Sequence, residues 1–146
     1  MPDITLDQAN RIIAAALAKA REMKLKPLAV AVLDSGGHLK ALAREDGPTF
    51  LRAQVCQAKA WGALGMGVHS RDLATRYEQE TRQEGFINAL CTMSGGRVVA
   101  LPGGLLIRDA DGAVLGAVGI SGAASEDDEL CARAGIEAIG YEVDLD

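Results

Sequence analysis

The chain has 146 residues, a net charge of −5 and an apolar fraction of 49%, yet only one Trp, two Tyr and two Phe. That length suits one domain over 1–146, which buries roughly two-thirds of its unfolded surface in a core of Ala, Val, Leu and Ile. The acidic balance, with no basic cluster, excludes a nucleic-acid surface, and no run approaches the roughly 20 apolar residues of a membrane span.

Met1-Pro2-Asp3-Ile4-Thr5 lacks the basic start and apolar run of a signal peptide. Cys56, Cys91 and Cys131 are odd in number and far apart, which suits free thiols in a reducing compartment better than disulfides or zinc. The expectation is a soluble cytoplasmic protein.

Thr5-Leu6-Asp7-Gln8 reads as a capping box opening a helix over 5–24. Leu6, Ala9, Ile12, Ile13, Ala16, Leu17 and Ala20 give its inner stripe, and Pro27 ends it. The apolar run 28–33 predicts a strand covered on both faces. Asp34-Ser35-Gly36-Gly37 then predicts a tight reversal into a second strand over 38–44, with His38 at the hairpin mouth. Pro48 fits the first turn of a helix reaching about 64, with Leu51, Val55, Ala58 and Leu64 as its inner stripe. Ser70 or Asp72 caps another helix through Leu73, Tyr77 and Thr81. The polar stretch Gln79–Glu84 is solvated, and Gly85 marks a break before the apolar residues 86–90. A short strand is expected over Val98–Leu101, before Pro102-Gly103-Gly104. Leu105–Arg108 and Ala113–Ile120 flank Asp109-Ala110-Asp111-Gly112, a second hairpin signal. Gly116, Gly119 and Gly122 imply very close packing against that strand. Ser125 reads as the N-cap of a last helix with acidic residues in its first turn and Leu130, Cys131, Ala134, Ala138 and Ile139 on its apolar side. The order α-β-β-α-α-β-β-β-α, with two hairpins, predicts an α+β fold: an antiparallel sheet flanked by helices in a single layered domain.

The residues themselves leave the chemistry open. His38 in a rigid hairpin mouth suits a metal or substrate contact, and equally a turn residue. His69 suits a loop, and the two histidines have no metal-ligand spacing. Asp34 and His38, four residues apart with Glu45 and Asp46 nearby, form a conceivable acid–base set. The Gly116–Gly122 strand leads to a helix start already occupied by acids, which argues against a phosphate cradle.

Several segments together resemble the GlcG/HbpS family of small heme-binding proteins, which also occurs fused to PduO-type cobalamin adenosyltransferases. They are Ala31–Leu39, Arg44-Glu45-Asp46-Gly47, Gln57-Ala58-Lys59-Ala60, Pro102-Gly103-Gly104, Gly116–Gly122, Asp127-Asp128 and Ala134-Gly135. The resemblance implies a profilin-like antiparallel sheet with helices, assembled as a homo-oligomer and often an octamer. It implies heme as cofactor, since some relatives bind it, while others lie among genes for glycolate or aromatic-compound breakdown. On that basis His38 is the candidate axial iron ligand, and His69 a second or a loop residue. Arg44 and Arg52, with Arg76 behind them, are candidate cations for the propionates. The alternative is a small enzyme or accessory protein acting on a small organic acid or aromatic metabolite through Asp34, His38 and Arg44. The three cysteines read as small buried residues rather than thiolate ligands.

Overall fold

The capping box forms as its spacing predicts. The Thr5 hydroxyl accepts from the Gln8 N–H at 3.1 Å, and Gln8 Oε1 accepts from the Thr5 N–H at 3.1 Å. This starts α1 (Leu6–Glu22), which buries Ala9, Ile12, Ile13, Ala16 and Ala20 and leaves Leu6 exposed. The computed structural model describes residues 2–79 and 81–145. The chain continues through β1 (Ala29–Asp34), β2 (Leu39–Arg44), α2 (Leu51–Met66), α3 (Ser70–Gln79) and α4 (Thr81–Met93). It ends with β3 (Gly104–Arg108), β4 (Val114–Ser121) and α5 (Ser125–Ala138). The four strands form one antiparallel sheet in the order β2-β1-β4-β3. This is the α+β architecture that the two hairpin signals imply.

Helices α1 and α5 cover one face, over Val30, Val32, Leu105, Ile107, Val118 and Ile120. Helix α2 covers the other, over Ala29, Ala31, Leu33, Leu106 and Ala117. Central strand β1 is therefore apolar on both sides, which explains its unbroken run. The inner face of α2 differs from the expected stripe. It carries Cys56, Ala58, Lys59, Ala60, Gly62 and Ala63, while Leu51 is exposed. The cause is close approach: a Cβ at Gly119 would collide with the Cys56 carbonyl oxygen. Only small residues let α2 lie that near the sheet.

Other expectations need correction. Residues 98–101 form no strand, because the outer edge of β3 is already taken: Ser70 Oγ accepts from the Gly104 N–H and His69 Nδ1 from the Leu106 N–H. Val98 is buried against Gly62 instead. Gly85 lies inside α4 with open space around its Cα, where a helical glycine costs only about 1 kcal/mol. Helix α3 is described to Gln79 and α4 from Thr81; Glu80 lies outside the described residues. Pro48 precedes α2, whose N-cap is Phe50. Ala124, not Ser125, is the N-cap of α5, and Asp128 Oδ1 reaches back to the Ala123 N–H at 3.1 Å. The buried side of α5 is Asp128, Glu129, Cys131, Ala132, Gly135 and Ile136, with Leu130 exposed.

Candidate functional site

The two hairpins are built alike. Asp34 N–H donates to the His38 carbonyl at 2.8 Å, and Asp109 N–H to the Ala113 carbonyl at 3.0 Å. Gly37 (φ 84°) and Gly112 (φ 85°) each supply the left-handed residue before the return strand. Asp34 Oδ1 accepts from the Gly36 and His38 N–H groups at 3.0 and 2.9 Å; Asp109 Oδ1 accepts from Asp111 and Ala113, both at 2.9 Å. Ala113 thus stands where His38 stands, and the turn closes with the same bonds. The imidazole is therefore not needed to make the turn.

The His38 side chain is 82% exposed, with Nδ1 3.3 Å from Asp34 Oδ1. The His38 backbone N–H is the main influence holding the Asp34 carboxyl below its ordinary range, with the Gly36 N–H and the imidazole adding to it. A neutral imidazole protonated on Nδ1 donates to this carboxylate and presents the Nε2 lone pair, the arrangement common behind histidine ligands. Among the described residues Nε2 has no hydrogen-bond partner. Asp3 fastens the turn from outside, its carboxylate accepting from the Ser35 N–H at 3.0 Å and hydroxyl at 3.2 Å.

His69 is committed on both sides. Its Nδ1 accepts from the Leu106 N–H at 3.1 Å, so Nε2 carries the proton and donates to the Asp144 carbonyl at 3.0 Å. Burial holds its pKa below the ordinary value. It ties the start of α3 to the sheet edge and to the C-terminal segment, and has no lone pair left for iron.

Arg44 and Arg52 are not brought to His38. Arg44 ends β2, six residues from His38, about 20 Å along an extended strand. Arg52 lies at that same far end, its Nη1 3.4 Å from Ser121 Oγ, and Ser121 and Arg44 both pair with Ala29. Arg76 is half-buried on α3. Glu45 accepts from the Leu28 N–H at 2.8 Å and pairs with Arg21 at 3.2 Å, so its carboxylate is structural. Burial pushes the Cys56 thiol up to about 12 and Cys131 to about 11, which keeps both protonated. Among the described residues, no group of three or more His, Cys, Asp or Glu side chains is placed to hold a metal ion.

Two features escaped the sequence reading. Lys59 and Asp128 form a fully buried ion pair, with Nζ 3.2 Å from Asp128 Oδ2 and 2.8 Å from the Ile120 carbonyl. Burial pushes the lysine down and the aspartate up, each against the pull of its partner. Their presence in matching segments was the only signal. The second is a groove of about 430 Å³ between α2 (Gln54, Ala58, Trp61), the first hairpin (Leu33, Gly37, Leu39) and the turn at 95–97. The residues on either side of His38 line it, though His38 itself does not. Arg97 lies over the Trp61 ring, its guanidinium carbon 4.4 Å from the ring centroid.

These features define a small α+β protein with one uncommitted, carboxylate-oriented imidazole at a hairpin mouth beside an open groove. The chain belongs to the HbpS-like family, described as haem degrading protein HbpS-like, whose family model matches residues 4–137. Among solved structures it is similar to Klebsiella pneumoniae ORFY, with 26% identity over 97% of this chain and 94% of that one, at a TM-score of 0.86. A Streptomyces reticuli HbpS double mutant is 27% identical over 97% of this chain and 90% of its own, at 0.80. PduOC in complex with heme shares the fold at 0.85, with 24% identity over 98% of this chain and 99% of that one. No curated protein matches the chain significantly.

Proposed function

We infer that this protein binds heme or responds to it, and that His38 would hold its iron. The observation that carries the assignment is the comparison of the two hairpins: the turn forms with alanine at the histidine's position, yet here it bears an imidazole. That ring is exposed and oriented by Asp34, and it is the one histidine of two with a ring nitrogen uncommitted among the described residues. Membership of a family described by haem degradation, and a shared fold with a heme complex, support the same reading. Of what such a group needs, the residues supply one part, an imidazole that can take iron. Heme, when bound, supplies an iron centre capable of redox and small-ligand chemistry; Asp34 holds the Nδ1 proton and strengthens His38 as a donor.

The open setting of His38 favours a homo-oligomer, in which a neighbouring copy covers the exposed side. Phe50, Leu51 and Met93 are exposed at 72%, 52% and 74%, and we assign such residues to self-association, an octamer being the form the family resemblance implies. In that assembly Arg44 and Arg52 serve as propionate partners only from a neighbouring protomer, since the strand length keeps them from their own His38. Three free cysteines suit a cytoplasmic setting. Among the described residues, no helix is long and apolar enough to cross a membrane.

Hemin titration tests the proposal. The expected result is a saturable Soret shift at one heme per chain or per dimer that His38→Ala abolishes and His69→Gln retains. Saturable binding unchanged in His38→Ala removes that residue from the ligand role, and purely nonspecific uptake removes heme.

A further inference from the structure

The groove beside the hairpin carries an unbalanced positive charge. Its lining holds Arg97 but no acidic residue, in a chain whose net charge is −5. The arginine is held in place rather than free. Its Nε donates to the Ser94 carbonyl at 2.8 Å, its backbone N–H donates to Ser94 Oγ at 3.2 Å, and its guanidinium stacks on Trp61. The turn that carries it is itself fixed: Gly95 and Gly96 take left-handed backbone (φ 72° and 83°), and the Gly96 N–H closes onto the Cys91 carbonyl at 2.7 Å. Among the described residues no carboxylate pairs with Arg97. A stacked guanidinium anchored through Nε keeps its two terminal nitrogens for a bidentate anion.

The rest of the groove is apolar or neutral. Leu39 offers exposed apolar surface, with Leu33 and Ala58 nearly buried at the groove floor, and the Gln54 amide makes no hydrogen bond among the described residues. Gly37 keeps the wall close, since a Cβ there would stand 3.2 Å from Trp61 Nε1. A volume of about 430 Å³ falls within the roughly 300–1,000 Å³ of small-molecule sites. We propose that this groove binds a small carboxylate with a planar apolar body, its carboxylate on Arg97 and its body against Leu33, Leu39 and Ala58. The site is separate from the His38 assignment and needs no heme.

The chain's one tryptophan lies in the groove, so selectively excited tryptophan fluorescence reports on this site alone. Heme-free protein is titrated with benzoate, and with benzamide as the uncharged analogue of the same shape. The expected result is a saturable change with benzoate and an affinity for benzamide at least about tenfold weaker, as loss of a charged hydrogen-bonded pair implies. Arg97→Gln erases the preference, and Arg97→Lys, which keeps the charge without the planar fork, retains part of it. Thermal unfolding confirms that each variant is folded. No saturable response to benzoate, equal affinity for benzamide, or a preference that survives in folded Arg97→Gln overturns the proposal. If Arg97→Gln does not fold, the benzoate-to-benzamide ratio in the unmodified protein and in Arg97→Lys decides. Because hemin is absent throughout, failure here leaves the His38 assignment untouched.

Discussion

Replacing Lys59 with Met keeps the length of the side chain and removes the ammonium at the centre of the molecule. Two charge-assisted hydrogen bonds are lost, to the Ile120 carbonyl and to Asp128 Oδ2. Both side chains of the pair are essentially dry, 2% and 1% exposed, so water cannot compensate. Asp128 keeps the Ala123 N–H, but its other oxygen is stranded. At about 1.5–3 kcal/mol for each hydrogen bond to a charged group, and about 3–5 kcal/mol for breaking a buried pair from one side, the cost is about 4 kcal/mol. For a chain of this size that lowers the melting temperature by about 10–15 °C. Asp128→Asn strands the lysine in turn and costs a similar amount, and the double variant costs clearly less than the two single changes added together. Urea denaturation of all four proteins measures the coupling. Single variants within 1 kcal/mol of the parent, or strict additivity, would refute the view that the pair locks α2 to the β4–α5 junction.

Acidification is expected to loosen the sheet edge at His69. Its folded pKa lies below the ordinary 6.5 because of burial, so the unfolded chain takes the proton first. The stability it contributes is complete above about pH 6.5 and is lost as pH falls through the folded value, because a protonated ring cannot accept from the Leu106 N–H. Denaturation midpoints above and below pH 6.5 should show this loss, and His69→Gln should flatten it; an equal slope in both proteins contradicts the assignment. Gly119→Ala should destabilise by about 3 kcal/mol or more, since the added methyl meets the Cys56 backbone rather than a flexible side chain. A melting temperature unchanged by that substitution would show that α2 lies farther from the sheet.

The elements legible in the sequence are those fixed by local chemistry. Thr5 and Gln8 determine where α1 starts whatever packs on it, and an aspartate followed three residues later by glycine makes a hairpin at 34–37 and again at 109–112. What resisted reading depends on distant parts of the chain. The α2 stripe was right at Ala58 and Leu64 but shifted elsewhere because Gly119, far away in sequence, admits only small residues, so Leu51 faces outward while Lys59 faces in. Residues 98–101 have strand composition, but on the β3 edge beside them the Gly104 and Leu106 N–H groups are already taken by Ser70 and His69. The ligand reading of His38 came from the family resemblance added to its place in the turn; the matching hairpin with Ala113 shows only that the turn closes without an imidazole. Arg44 and Arg52 looked near in sequence, yet strand length carries them to the far end of the hairpin. The contact of Arg97 with Trp61 had no local signature.

Iron binding by His38 is directly observable, because the chain has two histidines. Hemin is added to protein carrying isotope-labelled histidine, and the ring-nitrogen resonances are followed by NMR. The His38 signal is expected to be displaced or broadened beyond detection by the paramagnetic iron while the His69 signal stays in place. A His38 signal that remains unmoved while hemin binds saturably contradicts iron binding by His38.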